Sequence, residues 1–483
     1  MFWNHIIIGE FMLKTKEKRS SAHVVGENKM GTMPVNKLLI SMALPMVASM
    51  LVQALYNIVD SLYVARISET QNELTAISLA FAAQNFMIAV ATGTGVGINA
   101  LLSKSLGEKD YDRANKVATN GVFLALCSYV LFLILGFTCM ETYMGWMTNV
   151  SEVIGFGVDY LSICYIASFG IFGQIVIERL MISTGKTHLA MVTQGVGAIT
   201  NIILDPIFIF TFDLGIAGAA IATVIGQCVA FVVALILNAK CNKEIKLSFK
   251  GFRPDGHIIG RIYTIGVPSI VMASIGSVMN ILFNSILNGF TAAAAGGKQT
   301  IGQLAQNAFG VYFKLQSFIF MPIFGLNNGL VPIVAFNYGA QKRKRMMSAF
   351  TLGVAYAIGY MAFGVVVFHA VPELLLSFFN FSDAAALSIA VPCLRIISLS
   401  FILAGFCIIA GSVFQALGKS IYSMFVSIAR QLVVLIPAAY LLAKLGDVTL
   451  VWWAFPIAEV TSVVVSAVFF VQTYKRIIAK IPE

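Results

Sequence analysis

The sequence predicts an all-α integral membrane protein, and two observations carry this prediction: the composition and the length of the apolar segments. Of the 483 residues, 58% are hydrophobic and only 11% are charged, whereas about a quarter of the residues in a soluble domain are charged. Many apolar segments reach the ~20 residues that a helix needs to cross a bilayer. They are too long and too continuous for the strands of a membrane barrel. The composition excludes a soluble, disordered or disulfide-stapled protein.

Twelve apolar runs follow one another along the chain, and each is expected to form one spanning helix. Short polar breaks separate them, so the length leaves no room for a large soluble domain. The predicted spans cover residues 36–64, 74–103, 114–139, 154–178, 187–211, 215–239, 258–289, 301–337, 346–371, 386–416, 420–443 and 449–473.

The basic residues predict the orientation of these spans. Of the 32 Lys and Arg residues, 26 lie in the N-terminal tail, in every second loop or at the C-terminus, and three lie in the other loops. Because cytoplasmic loops carry the excess of Lys and Arg, we expect a multi-pass protein of the inner (cytoplasmic) membrane with both termini in the cytoplasm. The net charge of +10 then reflects anchoring at anionic lipid headgroups and not binding to nucleic acid.

The two halves of the chain resemble each other. Pro45 in "ALPMVASMLVQALYN" corresponds to Pro268 in "GVPSIVMASIGSVMN", and Gly185 in "STGK" corresponds to Gly418 in "ALGK". Six helices followed by six similar helices, both sets starting on the same side, form a parallel repeat, and transporters often bind substrate between such halves. Three glycines also recur at a constant offset of 232 residues, pairing Gly93 with Gly325, Gly97 with Gly329 and Gly107 with Gly339.

This repeat predicts two six-helix lobes related by a pseudo-two-fold axis. None of the predicted spans requires the residues before Pro34, which are expected to be a tail. The predicted segments are a cytoplasmic tail (1–33), an N-terminal lobe (34–239), a cytoplasmic linker (240–257), a C-terminal lobe (258–475) and a cytoplasmic C-terminus (476–483).

Three acidic residues lie deep within predicted spans, where a carboxylate is costly and indicates a candidate functional site. Asp60 lies in the first span, Asp205 in the fifth and Glu459 in the twelfth. Asp159 and Glu178 lie near the ends of the fourth span, and we expect both to be solvated.

Asp205 shares one helix face with Asn201, because residues four apart lie about one turn above each other. Protonation, a bound cation or a fixed basic neighbour could each stabilise the buried carboxylate. If Asp60 lies nearby, the two acids would titrate as a pair. Carboxylate and amide oxygens suit a hard cation such as Na+ and suit protonation equally well, so the ion is left open.

Three basic residues within spans, Lys314, Arg395 and Arg430, all lie in the second half. They could pair with Glu459, extend toward the interface, or face water and an anionic group on a substrate. Pro45 is a candidate kink in the first span.

Several longer motifs carry a resemblance to a known family. They are "PMVASMLVQALYNIVDSLYVA", "SLGEKDYDRA", "STGKT", "TNIILDPIFIF", "GIAGAAIATVIGQ" and "GLVPIVAFNYGA". Together they make residues 34–475 resemble the multidrug and toxic compound extrusion (MATE) family, in particular its prokaryotic branch with an aspartate in the first helix. The resemblance implies two six-helix lobes in a V around a central cavity. It also implies alternating-access export of amphipathic, often cationic compounds in exchange for H+ or Na+.

The resemblance also implies a coupling site in the first lobe. At the repeat positions of Asp60 and Asp205 the second half has Phe283 and Ala438, which favours the same location. No cofactor other than the coupling ion is implied, and the expected partners are small amphipathic substrates and membrane lipids, with the protein acting as a monomer. The matching positions for the ion are Asp60, Asn201, Asp205 and Thr223, which would be metal ligands only if the ion is Na+. The residues implied in bending and gating are Pro45, the bending proline, and Tyr56, one turn before Asp60.

Other functions were weighed against this one. A flippase for a lipid-linked glycan or another anionic amphiphile is the main alternative, because the basic residues of the second half could bind a diphosphate. An enzyme is not expected, since the sequence has no HExxH motif and no Cys/His catalytic arrangement. A channel fits less well, because isolated buried acids in an internal repeat suit alternating access better than rings of charge.

Overall fold

The computed structural model describes residues 27–64, 72–292, 299–379, 381 and 383–482, without the side chains of residues 57, 58, 60–62, 64 and 74. The described chain is predominantly helical, and its long helices follow the predicted apolar runs.

The first lobe contains six helical spans. Polar residues set some of the boundaries: Asp110 caps the third span by accepting a hydrogen bond from the backbone N–H of Arg113, as is common at helix N-termini. The spans are α1 (Val35–Val64), α2 (Asn72–Gly107), α3 (Tyr111–Thr138), α4 (Ser151–Ile166 and Phe169–Ser183), α5 (Thr187–Pro206, continued by Ile207–Thr211) and α6 (Gly215–Cys241).

The second lobe repeats this order. Asp255 caps the N-terminus of the first helix of this lobe, and Thr300 with Gln303 forms a capping box at the N-terminus of the second helix. The spans are α7 (Gly256–Asn288), α8 (Ile301–Gly339), α9 (Arg343–Ala370), α10 (Ala384–Ser398 and Ser400–Ala416), α11 (Ser420–Ile428, Ala429–Leu435 and Ile436–Ala443) and α12 (Ala454–Arg476).

The span count agrees with the prediction. Among the described residues, ten helices are long and apolar enough to cross a membrane, and the number rises to twelve if each bent pair counts as one span. The bends, 46° in α4 and 42° in α10, fall in the fourth helix of each lobe. The prediction of an all-helical fold with twelve spans in two six-helix lobes is confirmed.

The repeated "GK" turns have the same backbone conformation in both lobes. Gly185 and Gly418 adopt positive φ angles of 84° and 73°, which glycine does without steric cost. The next residue, Lys186 or Lys419, donates its N–H five residues back to Met181 or Phe414, a Schellman-type helix end. The turn therefore ends α4 and α10 in the same way.

The lobes meet where α2 packs on α7 and α1 packs on α8. A Cβ on Gly97 would lie 2.1 Å from the carbonyl oxygen of Ile262, and one on Gly329 would lie 2.9 Å from Cα and N of Ala43. Helix backbones can approach this closely only at small residues. The repeated glycines thus act in packing between the lobes.

A third crossing joins the C-terminal ends of α2 and α8. A Cβ on Gly107 would lie 2.0 Å from the carbonyl oxygen of Phe336, and one on Gly339 would lie 2.2 Å from that of Lys104. These contacts lie on the face of the bundle formed by residues 27–34, 108–110, 242–255 and 340–342, which we call the basic face. The close glycine contacts between the lobes lie in the halves of α1, α2, α7 and α8 nearest this face.

The segment immediately before α1 differs from the expected tail. Lys29–Thr32 form a short helix, and Met30 is fully buried. This segment packs against both lobes at the basic face, so the ordered structure begins before Pro34.

Candidate coupling site in the first lobe

A close approach of α5 and α6 builds the polar site of the first lobe. A Cβ on Gly226 would lie 2.9 Å from the carbonyl oxygen of Gly197 and 3.2 Å from Cβ of Asn201. Because glycines allow this approach, Thr223, one turn before Gly226, lies beside Asn201, one turn after Gly197. The local sequence of two glycines therefore sets the distance between the polar residues.

Asn201 joins the other two predicted residues. Its Nδ2 group donates to Oδ1 of Asp205 at 3.1 Å and to Oγ1 of Thr223 at 3.3 Å. All three side chains are buried, and Asp205 has no exposed surface. The three side chains therefore form one hydrogen-bonded group inside the first lobe.

One acceptor of this site is left for a ligand. Oδ1 of Asn201 is buried and has no hydrogen-bond partner within the described part of the chain. A buried polar atom without a partner is costly, and a carbonyl oxygen beside a carboxylate can accept from water or bind a cation. The oxygens of Asp205, Asn201 and Thr223 therefore fit a small cation, a protonated group or water.

The helix is irregular directly after the aspartate. Pro206 removes one backbone donor, and residues Ile207–Thr211 continue as a π-helix, a form that occurs often at functional sites. Gly218 of α6 packs on this stretch, since a Cβ there would lie 2.7 Å from the carbonyl of Phe208. A local change in α5 would therefore be transmitted directly to α6.

The structure places the first-helix residues near this site only in part. Asp60 lies within the backbone of α1, but its side chain is outside the described residues. One turn later, the ring of Tyr63 contacts Phe210 of the π-helix, with centroids 6.3 Å apart. The α1 turn that holds Asp60 therefore lies next to α5, and Tyr56 lies one turn earlier on the same helix.

Pro45 lies inside the continuous helix α1, toward the basic face. Ala43 and Val47, on either side of it, pack against Gly329 and Gly325 of α8. Pro45 therefore lies in the part of α1 that crosses the second lobe. A bend at this proline would move α1 against the second lobe.

The buried charges of the second lobe form a separate pair. Arg430 Nη1 lies 3.2 Å from Oε2 of Glu459, which is 7% exposed, whereas the arginine side chain is 28% exposed. Lys314 and Arg395 are exposed and form no ion pair within the described ranges. Lys314 lies over the ring of Phe379 at 5.8 Å. Of the three basic residues that the sequence places within spans, only Arg430 forms an ion pair with Glu459 in the described structure.

Glu178 is not solvated as expected, and this part of the prediction is wrong. It is 3% exposed and accepts hydrogen bonds from Gln174 (3.0 Å), Thr193 (2.7 Å) and Gln194 (2.8 Å). Three donors can hold a carboxylate in a bundle without water. In the sequence, the polar residues at positions 193 and 194 of α5 could have indicated that Glu178 is buried. Asp159 is exposed, as expected.

No group of three or more His, Cys, Asp or Glu side chains that could hold a metal ion occurs among the described residues. A cation at the site above would therefore depend on amide and hydroxyl oxygens as well as carboxylates.

The family model for MatE matches residues 45–207 and 268–441, one segment in each lobe, and together these exceed half of the chain. The chain belongs to the MatE family. Two separate matches of one family model also agree with the internal repeat and with the observed pairing of glycines.

Curated relatives of this MatE chain carry the description multidrug export protein MepA. The one from Staphylococcus saprophyticus is 25% identical over 417 residues, covering 86% of this chain and 89% of the relative. The one from Staphylococcus aureus is 25% identical over 430 residues, covering 88% and 91%.

Solved structures share the fold. An outward-facing conformation of a multidrug resistance MATE family transporter of the MOP superfamily superposes with a TM-score of 0.87 at 22% identity, covering 94% of this chain and 99% of that one. A MOP superfamily transporter from Pyrococcus furiosus, described by the reverse polarity of its binding pocket, gives a TM-score of 0.85 at 23% identity, covering 95% and 99%. At these identities the likeness shows the fold alone.

Proposed function

We propose that this MatE protein is a secondary multidrug efflux transporter that exchanges amphipathic, cationic compounds for H+ or Na+ across the cell membrane, with both termini in the cytoplasm. The family and the description of the curated relatives support export of small molecules. The observation that carries ion coupling is the fully buried Asp205 with Asn201 and Thr223. A buried carboxylate with oxygen neighbours is a site whose charge an ion can neutralise.

In the proposed cycle, the ion enters from outside and binds at Asp205, with Asp60 on the adjacent α1 as the second carboxylate of the prokaryotic branch. Neutralising the charge removes the cost of closing this region away from water. Helix α1 then rearranges around Pro45, and the substrate leaves the cavity between the lobes. Release of the ion to the cytoplasm completes the exchange. The ion must bind one conformation more tightly than the other, because otherwise it shifts no equilibrium.

The charge of the substrate is a separate part of the proposal. The fold of a relative with a reversed pocket polarity is nearly the same, so architecture does not determine substrate charge. The pairing of Arg430 with Glu459 neutralises one of the cations that an anionic amphiphile would need. This supports cationic compounds over the lipid-linked glycan.

The test is gradient-driven efflux of a fluorescent cationic dye from proteoliposomes that contain the purified full chain. Na+ and H+ gradients are imposed separately, and Asp205→Asn is compared with wild type. Asp159→Asn is the matched control, because it removes an exposed acid from the same lobe.

We expect one gradient to drive efflux by wild type and by Asp159→Asn, whereas Asp205→Asn falls to the rate without a gradient. An anionic dye of similar size should not be transported. Normal coupled efflux by Asp205→Asn would overturn the coupling site, and absence of gradient-driven efflux in folded wild type would overturn the antiport mechanism.

A further inference from the structure

The segment of residues 28–33, which we call the latch, is attached to the first lobe at its beginning. Nδ2 of Asn28 donates to the carbonyl of Thr184, at the turn after α4, at 3.2 Å and to Oε2 of Glu244 at 2.6 Å. Glu244 belongs to the linker after α6, and this linker is itself bound to α3 through Asn115 and Asn120. The start of the latch therefore moves with the first lobe.

The rest of the latch is attached to the second lobe. The guanidinium of Arg345 donates to the carbonyls of Met33 at 2.6 Å and Met30 at 3.1 Å. Lys342 donates to the carbonyl of Gly31 at 2.8 Å. These bonds involve charged donors, which makes them stronger than neutral hydrogen bonds.

A buried amide supports the same attachment. Asn337, at the end of α8, is fully buried and donates to the carbonyl of Met30 at 3.1 Å, while its own oxygen accepts from Arg345 at 3.2 Å. A Cβ on Gly31 would lie 3.0 Å from the ring of Phe336. The latch therefore fits closely between its neighbours and is not a loosely associated tail.

The position of the latch matters because the lobes touch beside it. The crossing of α2 and α8 at Gly107 and Gly339 closes the basic face, and Arg179 of α4 donates across the interface to Asn328 of α8 at 2.9 Å. A cavity that opens on this face requires the lobes to separate there. A segment hydrogen-bonded to both lobes cannot keep both sets of bonds when they do.

We propose that residues 28–33 act as a latch that holds the basic face closed and must detach from one lobe before the cavity opens on that side. This inference rests on the alternating-access mechanism proposed above. It assigns to Arg345 and Asn28 a positioning role at opposite ends of the latch. Neither residue contacts Asp205 or the residues hydrogen-bonded to it.

The latch makes a specific thermodynamic prediction. Because Met33 continues through Pro34 into α1 of the first lobe, the latch stays joined to that lobe even when Asn28 is detached. Removal of the attachment to the second lobe should therefore increase the open population more than removal of the Asn28 attachment. Removal of both should give no further increase. Independent contacts that merely add stability would instead give additive effects.

The experiment measures the distance between spin labels on the two lobes at the basic face, in the full chain reconstituted in lipid nanodiscs. Exposed Asp112 on α3 and exposed Ser348 on α9 are replaced by Cys, with the native cysteines replaced by Ser. Wild-type latch, Asn28→Ala, Arg345→Ala and the double variant are compared. Arg343→Ala is the matched control, because Arg343 bonds Tyr474 within the second lobe.

We expect a short distance to predominate with the intact latch and with Arg343→Ala. Arg345→Ala should raise the ratio of long to short distances about tenfold, the effect of losing charge-assisted hydrogen bonds. Asn28→Ala should raise the ratio less, and the double variant should match Arg345→Ala. If Arg345→Ala does not fold, Lys342→Ala with Asn28→Ala provides the same comparison.

An unchanged distance in Arg345→Ala, a further increase in the double variant, or an equal shift in Arg343→Ala would overturn the latch. Dye efflux is measured on the same samples. If wild type shows no gradient-driven efflux but the label distances change in the latch variants as expected, the proposed function is refuted and the latch is still supported.

Discussion

The two lobes bury an acid at comparable depth but balance it differently. In the first lobe, Asp205 is paired with the amide of Asn201, which also binds the Thr223 hydroxyl. In the second lobe, Glu459 is paired with Arg430 at 3.2 Å. Both acids lie close to a π-helical stretch, Ile207–Thr211 in α5 and Ala429–Leu435 in α11. Among the described residues, the same architecture therefore places an amide beside one acid and a guanidinium beside the other.

The position of Asp60 shows the same contrast. Its repeat counterpart Phe283 is fully buried in an aromatic cluster, with ring centroids 4.6 Å from Phe309 and 5.1 Å from Phe455. Interiors packed in this way do not admit water or ions easily. At these positions the second lobe thus has an ion pair and a filled aromatic core, whereas in the first lobe the function proposed above assigns the balancing of Asp205 to a mobile ion.

The largest effect is expected from placing an acid in the filled lobe. Phe283→Asp buries a carboxylate among aromatic rings, at a cost of several kcal/mol or more, and leaves the cavity of the lost ring. We expect no monodisperse protein after extraction in detergent. Phe283→Leu is the control and should remain folded. If Phe283→Asp instead folds and its efflux gains a second ion-dependent step, this one side chain accounts for the difference in ion binding between the lobes.

The next effect separates the two buried acids by stability. Glu459→Gln leaves Arg430 without its counter-charge, which should cost about 1–3 kcal/mol, less than for a fully buried pair because the arginine is partly exposed. Asp205→Asn should leave the thermal midpoint unchanged while abolishing coupled efflux, since an amide can still accept from Asn201. Both midpoints are measured in the same detergent.

Replacing the whole pair checks this interpretation. The double variant Arg430→Met, Glu459→Met should recover most of the midpoint lost in Glu459→Gln, because an apolar pair of similar length removes both charges together. A double variant as unstable as the single would mean that Arg430 and Glu459 are stabilised by other neighbours.

Much of this contrast could be predicted from the sequence, since it depends on local spacing. The spacing of four between Asn201 and Asp205 places both on one helix face, and the matched glycines of α2 and α8, which are visible in the sequence, lie where the helices cross. The spans followed from continuous apolar runs. These features need no knowledge of distant contacts.

The features that were missed depend on distant contacts. Glu178 lies five residues before the end of α4, where solvation is the ordinary outcome. Two of the three side chains that donate to it, Thr193 and Gln194, lie on the next helix. The latch has the polar composition of a tail, and its partners Glu244 and Arg345 lie more than 200 residues away. Sequence separation of this size hides the pairing.

A smaller effect is expected from the hydroxyl of the first-lobe site. Thr223→Val keeps the side-chain shape but removes one hydrogen bond of Asn201, worth about 1 kcal/mol. The ion concentration for half-maximal efflux should rise about fivefold, with an unchanged maximal rate. Thr200→Val is the control, because within the described part of the chain the Thr200 hydroxyl bonds only the carbonyl of Val196 on its own helix. Equal effects of both variants would remove Thr223 from the site.

The smallest expected effect is a pH dependence of the latch, and it is confined to its attachment to the first lobe. Burial raises the pKa of Glu244 above its ordinary value of 4.5, against the opposing effects of the Asn28 hydrogen bond and of Lys186 and Lys29. If detachment of the latch exposes Glu244 and returns its pKa to the ordinary value, docking favours the protonated acid. The docked population is therefore greatest below pH 4.5 and falls as pH rises through the raised pKa. In the part of the chain that the structure describes, the attachment to the second lobe contains no carboxylate.

The label distances should lengthen modestly over this range in the parent and not in Glu244→Gln, with His188, which lies near Lys29, replaced by Gln in both. An equal pH response in the two proteins would assign the titration to another group.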